Sequence, residues 1–130
     1  MSQPVTQLFL ALSGALSLAI GLSVLVIPHA FFASNHIVLG SDPNLMSEIR
    51  APGGLLLAAG LVMLWGVVSR RDRLIALQTS IVVFGMYGIS RLLSLILDGV
   101  PSTALLIALA IELVLCGVAI FLSLKLQQSK

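Results

Sequence analysis

From Leu8 to Ile27 the chain runs for twenty residues without a charged side chain. At about 1.5 Å per residue such a helix matches the hydrocarbon thickness of a bilayer. Three further runs follow: Ala51 to Ser69 holds no charge, Leu74 to Leu97 holds Arg91 alone, and Ser102 to Leu124 holds Glu112 alone. A soluble fold cannot absorb this. With 58% of residues hydrophobic, 9% charged and a mean hydropathy of +1.13, there is more apolar surface than a core of 130 residues can hide. The expectation is an all-α integral membrane four-helix bundle with antiparallel neighbours, formed by residues 1–130 as one domain, with spans near 6–27, 48–69, 74–97 and 102–124.

The first run is longer than the apolar segment of a signal peptide, and residues 1–7 carry no Lys or Arg, so a span is expected there. Ser13, Ser17 and Gly21 repeat every fourth residue and form a small-residue stripe suited to close helix packing. Pro28 closes this span. The segment that follows, PHAFFASNHIVLGSDPN, is too short and polar to cross; Phe31 and Phe32 predict an interfacial segment with its rings dipped toward lipid. His29, His36, Asp42 and Glu48 match no ligand spacing, and with one cysteine, Cys116, no metal framework or intrachain disulfide is expected.

Asp42-Pro43 reads as an N-cap followed by proline at the first helical position, so the second helix is expected to begin before its span. Pro52, Gly53 and Gly54 then form a hinge motif where a kink or local unwinding is expected. Trp65 sits where the far interface should lie. The turn Ser69-Arg70-Arg71-Asp72-Arg73 is expected in the cytoplasm, with both termini and with Lys125 and Lys130. That leaves Asp42, Glu48, Arg50 and Asp98 on the other side.

In the third span Tyr87, Gly88, Arg91, Ser94 and Asp98 recur at three- and four-residue steps and make a polar seam. In the fourth, Ala104, Ala108, Glu112 and Cys116 put a carboxylate on a small-residue face. Arg91 lies six residues before the end of its span and Glu112 ten past the start of its own, so they sit about 9 Å and 15 Å from the same surface. Helical side chains lean toward the N-terminus, which carries Arg91 deeper and Glu112 outward. They should meet. A charge in mid-span costs about 2.5 to 3.5 kcal/mol on insertion scales, which the surrounding aliphatics offset. Two readings compete: a structural ion pair, or a polar pocket lined by Arg91, Glu112, Tyr87 and Ser94 with Glu48 and Arg50 at its entrance and Asp98 as a candidate partner for these two.

The segments EIRAPGG, GISRLLSLILDGVP and IELVL resemble an uncharacterised bacterial family of small four-helix membrane proteins, a domain of unknown function, and more loosely the DoxX-like superfamily. The resemblance spans nearly the whole chain and rests on Glu48, Arg50, Gly53, Gly54, Arg91, Asp98, Gly99 and Glu112. It implies the bundle and a bacterial inner membrane; the looser likeness includes proteins linked to quinone-coupled redox complexes. Three function classes follow. A lipid, quinone or other amphipathic molecule would place its head on Arg91, with Glu112 as proton partner. An accessory or assembly subunit would dock other membrane subunits or a second copy of itself through the small-residue stripes. A small-multidrug-type transporter would want an acid in the first span, which has none. No nucleophile and base pair, phosphate loop, cofactor motif or basic stripe for nucleic acid is present.

Overall fold

A computed structural model describes residues 2–128. Five helices follow one another: α1 (Ser2–Val26), α2 (Pro28–Ser34), α3 (Pro43–Val68), α4 (Arg73–Leu97) and α5 (Thr103–Gln128). Four are long and apolar enough to cross a membrane; α2, of seven residues, is not. α1 packs along α3, α3 along α4 and α4 along α5, while α1 touches α4 and α5 only lightly. The bundle is therefore two helix pairs, α1 with α3 and α4 with α5, joined mainly where α3 meets α4.

Local chemistry sets the ends. The Asp42 carboxylate accepts hydrogen bonds from the backbone N–H of Asn44 and Leu45, both at 3.0 Å, so α3 starts at Pro43 as the sequence predicts. α2 ends in a Schellman motif: Ile37 N–H donates to Phe32 and His36 N–H to Ala33, with His36 left-handed at φ 63°. Gly99, at φ 98°, lets the chain leave α4. Pro52 does not unwind α3, which continues unbroken to Val68. Of the kink or local unwinding expected there, unwinding does not occur. A methyl on Gly53 would lie 2.7 Å from a Val24 side-chain carbon, so this glycine admits α1.

The turn after α3 gathers the tightest polar contacts. Arg73 is 1% exposed. Its Nε donates to the Gly66 carbonyl at 3.1 Å, one Nη to Val67 at 3.2 Å, and the other Nη to Gln3 Oε1. Gln7 Nε2 donates to Val67 as well, at 3.0 Å. These donors satisfy carbonyls left open at the C-terminus of α3 and bring the start of α1 to the turn. By sequence Arg73 is one of three arginines in the charged turn. It is a buried cap, while Arg70, Arg71 and Lys125 are exposed and Lys130 lies outside the described residues. The packed core lies at this end, where Phe9, Leu10, Ala59, Met63, Leu77, Phe84 and Leu122 meet.

Trp65 Nε1 donates to Asp72 Oδ2 at 2.9 Å, and Ser69 Oγ donates to the same oxygen at 2.7 Å. These two bonds, with help from Arg71, hold the Asp72 carboxyl below the usual carboxylate range. A group whose folded-state value is lowered adds stability above its unfolded value and loses that contribution as pH falls through the folded one. Emission from Trp65, the one tryptophan of the sequence, should therefore shift on acidification below the ordinary aspartate range. In Asp72→Asn that transition should be missing from the fluorescence titration.

Candidate functional site

Away from the turn, the two helix pairs part. Gly85 and Gly88 on α4 receive Cys116 and Leu113 of α5; a methyl on Gly88 would come within 2.8 Å of Leu113. That close approach carries the next turn of each helix into register. Arg91 Nε donates to both carboxylate oxygens of Glu112, at 3.0 and 2.9 Å. The side chains are 32% and 12% exposed. The pair is an intramembrane salt bridge between α4 and α5, as the lean of the two helices predicts.

The contact uses the guanidinium sparingly. A bidentate fork would engage two nitrogens, whereas here Nε serves both oxygens. Among the described residues, neither Nη of Arg91 has a bond. Beside the pair opens a cavity of about 580 Å³. Leu16, Ser17, Ile20 and Val24 of α1 form one wall, Ile49, Pro52, Gly53 and Leu56 of α3 another, and Phe84, Tyr87, Arg91, Leu105, Ala108, Ile111 and Glu112 the side of α4 and α5. Phe31, Phe32, Ser34, Asn35 and Ile37 close it from α2 and the chain after it. The lining is mostly apolar, with its ionisable groups confined to Tyr87, Arg91 and Glu112.

The sequence-predicted residues divide between this cavity and its surroundings. Arg91, Glu112 and Tyr87 line it, as do Pro52 and Gly53 of the hinge motif. Ser94 is exposed, outside the lining, and donates to Asp98 Oδ2 at 2.8 Å. Glu48 and Arg50 are also exposed and outside the lining. The partner of Arg50 is the Leu25 carbonyl near the end of α1, rather than Asp98. Gly54 has open space on its Cβ side. His29, His36, Asp42 and Glu48 do not assemble; among the described residues no three such groups could hold a metal ion.

Sequence reasoning missed the contribution of α2. Its rings, packed edge to face with centroids 5.5 Å apart, line the cavity. The signal was present in Pro28 at the helix start and in Ile37, which the Schellman turn brings back beside Phe32. The walls from α1 were missed too, because Leu16 and Ile20 are ordinary span residues by type.

These features define a small polytopic membrane protein: four apolar spans, a short non-spanning helix and an ion pair within the bundle. The chain belongs to the family described as Domain of unknown function (DUF4345), whose model matches residues 5–123. Neither the curated proteins nor the solved structures offer a match to it.

Proposed function

We propose that the chain binds an amphipathic molecule, with a hydrogen-bond-accepting head at Arg91 and an apolar body among α1, α2 and α3. The observation that carries this reading is an arginine paired through one nitrogen, with its Nη groups unbonded among the described residues, in the wall of a mostly apolar cavity. A volume of about 580 Å³ falls in the range of small-molecule sites, about 300 to 1,000 Å³. Because Glu112 already balances the arginine, the site favours a neutral acceptor, such as the carbonyl of a quinone or the ester of a lipid, over a full anion. Tyr87, one helical turn from Arg91, adds a hydroxyl donor.

The turn with Arg70 and Arg71 is assigned to the cytoplasm by the positive-inside rule, with both termini on that side. The cavity then opens in the outer half of the membrane.

Mass spectrometry of the protein purified in mild detergent tests this directly. Wild type should carry a lipid or quinone. Ala108→Phe, which fills the cavity from α5 one turn before Glu112, should lose about nine-tenths of it, since overpacking removes the room the body occupies. Equal retention in the two proteins would put the molecule elsewhere. A stable partner protein with no bound small molecule would instead favour the accessory-subunit reading.

A further inference from the structure

Arg91 belongs to two compartments. Besides the large cavity it lines a cleft of about 60 Å³ between α4 and α5, together with Ser94, Leu95, Pro101, Leu106 and Leu109. Leu105 is the other residue common to both. The cleft lies at the end opposite the arginine-rich turn, between the last turns of α4 and the first of α5. Its polar groups are not idle. Ser94, which lines it with Arg91, donates to Asp98 at the exposed end of α4. Next to Pro101, the Ser102 hydroxyl is buried without a partner among the described residues, a group of the kind that takes a water. A cleft this size has room for a few waters, and it offers them polar neighbours.

We infer that this cleft is a hydrated port through which water reaches the Arg91 guanidinium from the end opposite the turn, while the large cavity reaches the same arginine from inside the bundle. Two neighbours from α4, Arg91 and Tyr87, are the titratable groups facing Glu112 across the cavity. Those parts of α1, α2 and α3 that line it bring none. Asp98 is the one further charged group along the route. Glu112 lines the cavity and not the cleft, so Arg91 with Leu105 is the partition between the wet and apolar sides. This holds whatever occupies the large cavity.

Cysteine labelling tests the port in the empty protein, so its result is separate from any result on ligand binding. In a Cys116→Ser background, Leu106→Cys and Leu109→Cys place a thiol in the cleft, and Ile107→Cys places one at the same depth on the exposed face of α5. A membrane-impermeant methanethiosulfonate reacts with thiolate, which forms in water and not in lipid. With the protein in liposomes, the cleft positions should label about tenfold faster than Ile107→Cys. Cleft positions that label no faster than Ile107→Cys would overturn the port.

Discussion

Glu112→Ala should destabilise the bundle by about 3 kcal/mol, measured as unfolding in mixed micelles, because it leaves the Arg91 guanidinium without its counter-charge inside the membrane. Removing one member of a buried pair costs about 3 to 5 kcal/mol. The lower figure applies because Arg91 is 32% exposed and so only partly enclosed by the protein. Arg91→Met with Glu112→Leu should recover most of the loss, since no charge then remains to be solvated and the two side chains fill similar volume. The single and double variants separate the competing readings. A pair that only fixes packing predicts a double variant that is stable and otherwise like wild type. A pair that serves a ligand predicts a stable double variant emptied of its bound lipid or quinone. A double variant as unstable as Glu112→Ala would mean that the charges hold the bundle in a way apolar packing cannot replace.

The ion pair was legible in the sequence for a simple reason. Charges inside the last two spans are so few that each can be placed by depth, and the lean of helical side chains supplies direction. Asp42-Pro43 was legible because a cap is local chemistry. Which helices touch was not. In a membrane the outside of the bundle is as apolar as the inside, so periodicity does not mark the buried face. Leu10 is fully buried and Leu12 is 63% exposed, though both are leucines of one span. Arg73 shows the same limit for charges: nothing separates it from Arg70 and Arg71 by type. Its burial follows from the open carbonyls of Gly66 and Val67, visible only once α3 has ended. The cavity was half legible, its charged wall readable and its apolar walls not.

The seam between α1 and α3 should be the second place where one atom matters most. Gly21 faces Gly53 and Gly60 faces Gly14, a helical repeat apart, so the two backbones touch directly. A methyl on Gly21 would lie 2.5 Å from the Leu57 nitrogen and 2.7 Å from the Gly53 oxygen. One on Gly60 would lie 2.7 Å from the Leu18 nitrogen and 2.8 Å from the Gly14 oxygen. These are backbone atoms and cannot rotate aside, so the helices must separate. Overpacking of this kind costs about 1 to 3 kcal/mol, and Gly21→Ala and Gly60→Ala should each lose about 2 in the same unfolding assay. Gly54→Ala is the control. Its Cβ would meet nothing within 4 Å, and alanine's better helix propensity should stabilise it by up to about 1 kcal/mol. Gly21→Ala with Gly60→Ala should cost less than the sum of the two, because once the first methyl has pushed α1 from α3 the second finds room. Strict additivity would show instead that each contact yields locally. The cavity, whose walls are these same two helices, would then keep its shape when the seam is altered.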